Sequence, residues 1–168
     1  MSQYIPVYGI VSSITVLNES LTNQGCSLLI SINTPRLEQI DFVVTPQTYV
    51  VNQHTFQIGN AIVALYDSTI PVPLIYPPKY TAVVLAVHNA GTLVELDYFN
   101  EYLQNTSRTL QLVIPEDGDT QILLSNGQNF FNTPENHYLF VIYPSGNDDA
   151  RPVITIPIKI IVFCTSGD

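Results

Sequence analysis

The hydrophobic residues of this chain recur in short runs rich in Val, Ile and Thr, and helical spacing is almost absent. Two clear examples are residues 8–17 (YGIVSSITVL) and residues 26–33 (CSLLISIN). In the second run, Leu28, Ile30 and Ile32 fall on one side of an extended chain. Because β-branched residues and a period of two favour strands, both runs are predicted to be β-strands.

Turn-forming residues separate such runs along the whole chain. Thr45-Pro46 interrupts the strand-like residues 40–51, since proline cannot donate a hydrogen bond to a sheet. The Asp117-Gly118 pair predicts a hairpin between residues 109–114 and 120–124. Short strands at regular spacing, with turns between them, are typical of sandwiches and barrels. We therefore predict an all-β fold, either an antiparallel barrel or a sandwich.

A chain of 168 residues is long enough for one domain or for two small lobes. We expect a barrel-like N-terminal lobe over residues 1–90 and a second β lobe over residues 91–168, sharing a core and packed as one unit. Residues 1–6 precede the first predicted strand and are expected to form a loose arm. Such an arm can add a strand to the sheet of a neighbouring molecule.

The order of the predicted strands in the N-terminal lobe resembles that of an OB-fold barrel. The resemblance covers residues 8–88: a glycine-led first strand, a hairpin, a third strand ending near Thr48, and two later strands across a connector. It implies a binding face on the second and third strands. OB-folds that bind nucleic acid line this face with aromatic and basic residues. Here the equivalent strands offer Phe42 and Tyr49 but no Lys or Arg, which departs from that pattern.

A proline-rich corner, residues 71–78 (PVPLIYPP), connects the last two strands of this lobe. Proline fixes the backbone in an extended or polyproline conformation. Apolar Leu74, Ile75 and Tyr76 alternate with the prolines. We interpret the corner as a loop packed onto its own core, in preference to a docking motif for a partner.

Charge is sparse and acidic, which excludes some partners. Charged residues make up 11% of the chain, and the net charge is −9. The basic residues are scattered: Arg36, Lys79, Arg108, Arg151 and Lys159. Nucleic acids and anionic membranes both require clustered cations, so neither is an expected partner. No signal peptide is recognisable, so we expect synthesis in the cytoplasm, with deposition on a cell or spore surface left open.

The chain carries no recognisable catalytic or metal-binding motif. His54, His88 and His137 lack the spacing of a zinc site, and no serine or cysteine has the sequence context of a nucleophile. Two acidic segments, 116–119 (Glu116, Asp117, Asp119) and 147–149 (Asn147, Asp148, Asp149), do not match a calcium loop and are interpreted as solvated turns. We expect no enzyme activity and no cofactor.

Two cysteines, Cys26 and Cys164, flank apolar runs and allow two interpretations. They are either buried thiols within strands or partners in a disulfide, which between subunits would lock an assembly together. They are too far apart in sequence to form a metal or redox motif.

Tyrosine is abundant, with ten residues and no tryptophan. A candidate interaction surface consists of the aromatic residues Tyr4, Tyr8, Phe42, Tyr49, Tyr76 and Tyr80. Low charge and many neutral polar residues favour self-association. We therefore expect a non-enzymatic structural subunit of a surface, coat or fibre, which forms a homo-oligomer or polymer through strand edges and through contacts of neutral polar and tyrosine side chains. The alternative is a small module that binds a glycan or peptide at a tyrosine-lined barrel face.

Overall fold

The computed structural model describes residues 2–17, 24–146 and 149–164. These residues form an all-β structure, which confirms the predicted fold class at that level. The only helical element within the described ranges is the 3₁₀ turn Val51–Gln53. No helix in this part of the chain is long and apolar enough to cross a membrane. The chain divides into two compact units, Tyr4–Asn89, and Ala90–Asp168 together with Met1–Gln3.

Six strands make up the first unit: β1 (Tyr4–Leu17), β2 (Ser27–Asn33), β3 (Gln39–Val44), β4 (Tyr49–Val50), β5 (Ala61–Asp67) and β6 (Lys79–Val87). Their order in the sheet is β3-β2-β1-β5-β6-β4, and β3 also pairs with β6. The series of pairings that starts at β3 therefore passes through β2, β1, β5 and β6 and returns to β3. Strands β3 and β4 also pair with β6, and both run parallel to it.

Strand β1 is long because its two halves pair with different strands. Its first half, from Tyr4 to Ile10, pairs with β5, and its second half, from Ile10 to Leu17, pairs with β2. The prediction of a loose arm is therefore wrong from Tyr4 onward, since Tyr4 lies opposite Asp67 within the chain's own sheet. Gly9 lies where the two pairings meet, and a Cβ atom there would be 2.7 Å from the Asn33 carbonyl oxygen.

The core of the first unit consists of buried apolar side chains from five strands: Val11, Ile30, Ile32, Phe42, Ile62, Ala64, Ala82 and Leu85. Phe42 is 0% exposed. Its place in the predicted interaction surface is therefore wrong, because its side chain points to the core face of β3, where burial of apolar area is favourable.

Six further strands form the second unit: β7 (Thr92–Phe99), β8 (Leu110–Leu112), β9 (Gln121–Leu124), β10 (His137–Pro144), β11 (Val153–Thr155) and β12 (Lys159–Phe163). Four of them form a sheet in the order β7-β10-β12-β9, and β8 pairs with β11. Phe99, Leu139 and Ile160 lie at the centre of its core.

Both units contain parallel pairs, so a purely antiparallel architecture is wrong. In the second unit, β9 runs parallel to β12 and β8 runs parallel to β11. The hairpin predicted around Asp117-Gly118 is also wrong, because β8 and β9 each pair with a later strand. The local turn does form, with the Gly118 amide donating to the Pro115 carbonyl. Turn chemistry is local, whereas the choice of a strand partner depends on segments far away in sequence.

Candidate functional site

The segment between β5 and β6, residues 68–78, is the most exposed apolar feature of the first unit; we call it the proline loop. Its apolar side chains stand out from the surface: Leu74 is 104% exposed and Tyr76 is 80% exposed. The prediction that this corner packs onto its own core is therefore wrong for its tip. The prolines hold much of the segment extended. At the tip the Ile75 amide donates to the Pro73 carbonyl (3.0 Å), and Leu74 and Tyr76 remain exposed.

The base of the proline loop is anchored, in contrast to its tip. Asp67 accepts hydrogen bonds from the amide (3.0 Å) and the hydroxyl (2.6 Å) of Thr69. The Ile70 amide donates to the Asp67 carbonyl. Residues 70–73 also line a cavity of about 200 Å³ together with Tyr66 and Lys79. The loop thus presents an apolar tip on a fixed base.

Two tyrosines form an aromatic stack beside this cavity. The rings of Tyr66 and Tyr80 lie 3.8 Å apart and are nearly parallel, with an angle of 11°. Phe42 lies below them, with centroid distances of 6.4 Å to Tyr66 and 6.1 Å to Tyr80. Burial raises the pKa of the Tyr66 phenol, and a hydrogen bond with Tyr80 raises it further. The Tyr66 phenol therefore stays protonated at neutral pH and can act as a hydrogen-bond donor.

The aromatic residues predicted to share one interaction surface have different environments. Tyr76 is exposed at the loop tip, whereas Tyr4, Tyr8, Tyr49 and Tyr80 are half-buried. Tyr8 packs against His88, with ring centroids 4.7 Å apart. Sequence reasoning missed Tyr66, which only the β5–β6 pairing brings beside Tyr80.

Both cysteines are exposed and free. The interpretation as buried thiols is therefore wrong for Cys26 and Cys164. Cys26 lies just before β2, and Cys164 directly follows β12. Their predicted role in a disulfide between subunits stays a prediction.

The second unit contains an exposed apolar ridge, which consists of Val113, Ile154, Ile156 and Ile158. These side chains are between 43% and 56% exposed. The chain is extended here, so the ridge residues alternate with half-buried Thr155 and buried Pro157. Val113 joins the ridge because its amide donates to the Thr155 carbonyl. The sequence suggests that Ile160 continues this row, but Ile160 lies in the core.

A cavity of about 320 Å³ opens in the same unit, and Glu95 lies in its wall. Its lining consists of Leu93, Glu95, Thr109, Leu110, Tyr143, Pro144, Arg151 and Val153. Burial raises the pKa of Glu95 to about 6, and the nearby charge of Asp97 adds to this effect. A hydrogen bond from Asn105 acts in the opposite direction, because it stabilises the charged form.

Asn105 organises the wall of this Glu95 cavity. It is 1% exposed, and its Oδ1 accepts hydrogen bonds from the amides of Thr109 (2.8 Å) and Leu110 (3.0 Å). Its Nδ2 donates to Oε1 of Glu95 (2.8 Å) and to Oγ1 of Thr109 (2.9 Å). One side chain therefore fixes both the loop before β8 and the orientation of the carboxylate.

Asp97 is buried beside Glu95 on the same strand but is fully engaged. Its Oδ2 accepts from the amide and hydroxyl of Thr106, at 3.0 and 2.7 Å, and its Oδ1 accepts from the Tyr98 amide at 2.8 Å. These bonds close the turn before β8, so we assign Asp97 a structural role.

The histidines are dispersed. His54 packs on Phe56, and Nδ1 of His137 lies 2.8 Å from the Glu135 carbonyl. Within the described ranges, no group of three or more His, Cys, Asp or Glu side chains is arranged to hold a metal ion. Asn147 and Asp148 of the second acidic segment lie outside these ranges.

No protein-family model matches this chain, and neither a curated protein nor a solved structure is significantly similar to it. The proline loop, the apolar ridge and the Glu95 cavity are thus the features that point to a function.

Proposed function

We propose that this protein is a non-enzymatic structural subunit of a surface, coat or fibre, which self-associates through the proline loop. The observation that carries the proposal is the exposed loop tip, where Leu74, Ile75 and Tyr76 are all more than half exposed. Large contiguous apolar patches, above roughly a few hundred Å², are rare on monomeric soluble proteins and mark interaction sites. Prolines also restrict the free loop, so that less conformational entropy is lost when it binds.

A second copy of the chain is the occupant that we propose for the loop tip. The apolar ridge of the second unit is a matching surface, because it is apolar, extended and exposed. Two different patches that bind each other make a head-to-tail contact, which generates rings or filaments. The low content of charged residues, 11%, supports this, since few like charges oppose the contact.

We further propose that the first unit is a barrel of the OB-fold type. Support comes from the antiparallel β1-β2-β3 order, the β5–β6 hairpin, the β1–β5 pairing and the parallel β3–β6 pair. The proline loop and the tyrosine stack then lie at the β5–β6 connection. Tyr80 of the stack pairs with Phe42 on β3, one of the two strands that the resemblance implies for binding.

Substitutions in the two patches test the assembly. We expect Leu74→Asn/Tyr76→Asn and Ile154→Asn/Ile156→Asn each to abolish the oligomer, as measured by analytical ultracentrifugation. Leu37→Asn is the matched control, because Leu37 is 88% exposed and its φ of 62° suits asparagine. The control variant should assemble like the wild type.

Mixing the two variants distinguishes a head-to-tail contact from a symmetric one. Each variant retains one intact patch, so an equimolar mixture should form dimers and nothing larger. A wild-type protein that remains monomeric at high concentration contradicts the proposal. Oligomers that persist in both variants contradict the assigned surfaces.

The second candidate function is binding of a peptide or glycan, and the tyrosine stack favours it. Tyr66 and Tyr80 border a cavity of about 200 Å³ and offer aromatic faces with phenol groups. A monomer that binds such a ligand, with loss of binding in Tyr80→Ala, would favour this function over assembly.

A further inference from the structure

The outer edge of strand β11 is open, and Ile154 and Ile156 of the apolar ridge lie along it. The strand pairs with β8 through Val153, whose amide donates to the Thr109 carbonyl (2.8 Å), and through Thr155, whose carbonyl accepts an amide hydrogen (2.9 Å). Because backbone groups alternate in direction along a strand, those of Ile154 and Ile156 point away from β8. Within the described ranges, these outward groups have no hydrogen-bond partner.

This edge lacks the charged side chains that usually prevent an exposed strand from pairing with another chain. Residues 152–158 (PVITIPI) contain no charged residue, and their prolines stand outside the segment from Ile154 to Ile156. The two isoleucine side chains are 56% and 52% exposed. The edge therefore offers two amides and two carbonyls beside an apolar surface, an arrangement that suits the addition of an extended segment.

The proline loop begins with a segment that can pair along one edge and not along the other. Its sequence alternates Pro71 and Pro73, which lack amide hydrogens, with Val72 and Leu74. Among the described residues, the amides and carbonyls of Val72 and Leu74 have no partner. The Ile75 amide donates to the Pro73 carbonyl (3.0 Å), which uses neither residue's groups. Three-residue turns of this kind are common at strand ends, so the pairing segment ends at Leu74.

We propose that the proline loop of one molecule adds to the β11 edge of a second copy as an antiparallel strand, with Leu74 opposite Ile154 and Val72 opposite Ile156. The inference rests on the proposed self-association and specifies how its two patches make contact. In this register each opposite pair exchanges two N–H···O bonds. The apolar side chains of each pair also lie side by side on the exposed face.

The prolines limit this addition to a single strand. Pro71 and Pro73 face outward on the new edge and offer no amide hydrogen to a further strand. Residues 68–78 and 152–158 contain no charged residue, so the contact forms without burial of an ion and without repulsion between like charges. Each contact thus joins two molecules, and growth continues through the second patch of each.

Amide hydrogen exchange, followed by NMR on the full chain at low and at high protein concentration, tests the pairing directly. We expect the amides of Val72, Leu74, Ile154 and Ile156 to exchange at least about tenfold more slowly in the assembled protein, because each donates a hydrogen bond across the contact. The amide of Phe131, a residue that is 94% exposed, is the control and should exchange at the same rate in both samples.

Two substitutions at position 72 separate main-chain pairing from side-chain contact. Val72→Pro retains an apolar side chain but removes the amide hydrogen, whereas Val72→Ala retains the amide and loses most of the side chain. We expect Val72→Pro to weaken association at least about tenfold in analytical ultracentrifugation, and to weaken it more than Val72→Ala does. Ile154→Pro should have the same effect on the other patch, since its amide makes no bond to β8. Circular dichroism verifies that each variant is folded.

The possible failures of the two proposals differ. Unchanged exchange at the four amides in an assembled protein would overturn strand pairing and leave self-association standing. An equal or larger loss of association in Val72→Ala than in Val72→Pro would do the same, since side-chain contact alone then explains the assembly. A wild-type protein that stays monomeric at high concentration would overturn both.

Discussion

At the scale of single residues, Gly9 is a position where only the smallest side chain fits. β1 changes partner there, and an added Cβ would be 2.7 Å from the Asn33 carbonyl oxygen and 3.0 Å from Cδ1 of Ile32. A backbone atom cannot move aside as a flexible side chain can. Glycine therefore allows β1 and the end of β2 to approach closely.

We expect Gly9→Ala to lower the free energy of unfolding by about 1–3 kcal/mol, the usual cost of overpacking. Urea denaturation followed by circular dichroism measures this. An unchanged midpoint and slope would show that β1 and β2 can separate at this point without cost.

Glu95 is a residue whose ionisation opposes folding. Its pKa is raised to about 6 in the folded chain from an ordinary value of 4.5. The folded chain therefore holds this proton more tightly than the unfolded chain. The contribution of Glu95 is most favourable below about pH 4.5, and it is lost as the pH rises through about 6.

We expect Glu95→Gln to be more stable than the wild type at pH 7.5 by about 2 kcal/mol or less, and equally stable near pH 4. Glutamine retains an oxygen that accepts from Asn105 but carries no charge. Denaturation at several pH values measures the difference. A variant that is less stable at pH 7.5 would show that the carboxylate has a favourable partner in the folded chain.

At the scale of elements, the segment between β7 and β8 owes its shape to hydrogen bonds, since few of its side chains are apolar. Asn105 joins it to β7 through Glu95, and Thr106 joins it to β7 through Asp97. Arg108 adopts a φ of 56° within the turn that these bonds close. These polar contacts hold the segment beside β7, and Leu103 anchors it in the apolar core of the second unit.

We expect Asn105→Ala to cost at least about 2 kcal/mol in free energy of unfolding, because it leaves the buried amide of Leu110 and the amide of Thr109 without their acceptor. The exposed Asn132→Ala is the control and should be nearly neutral. Thermal and chemical denaturation measure both. A small effect in Asn105→Ala would indicate that water reaches these amides.

Only part of the structure of the proline loop could be predicted from the sequence. Its extended character followed from the prolines, and its location between two strands followed from the strand pattern. Its exposure did not follow, because apolar residues between prolines suit both a packed and an exposed loop. The fixed base at Asp67 and Thr69 directs the tip outward, and these bonds are not encoded in hydrophobicity.

At the scale of the whole molecule, the two exposed apolar patches are chemically alike but belong to different units. A pair of distinct, mutually attractive patches makes open assemblies possible, whereas a single self-complementary patch makes a dimer. The proposed head-to-tail assembly therefore predicts oligomers whose average size increases with protein concentration. The mixture of the two patch variants tests this point, because a head-to-tail contact predicts that the mixture forms dimers and nothing larger.

The Glu95 cavity was not predicted from sequence, and its composition explains why. Its residues come from β7, β8, β10, β11 and nearby loops, spread from Leu93 to Val153. No spacing rule links Glu95 with Arg151. The available signal was Glu95 itself, an acidic residue in the strand-like run 92–98.

The sequence by itself determined the all-β class and the position of most strands, because alternation of apolar residues and turn chemistry act over a few neighbouring residues. Tertiary structure alone decided which strands pair in parallel, that Phe42 is buried, that Leu74 and Tyr76 are exposed, and that Glu95 and Arg151 share a cavity. These properties depend on contacts between segments tens of residues apart, whose free energy is a sum over the whole fold and has no local pattern.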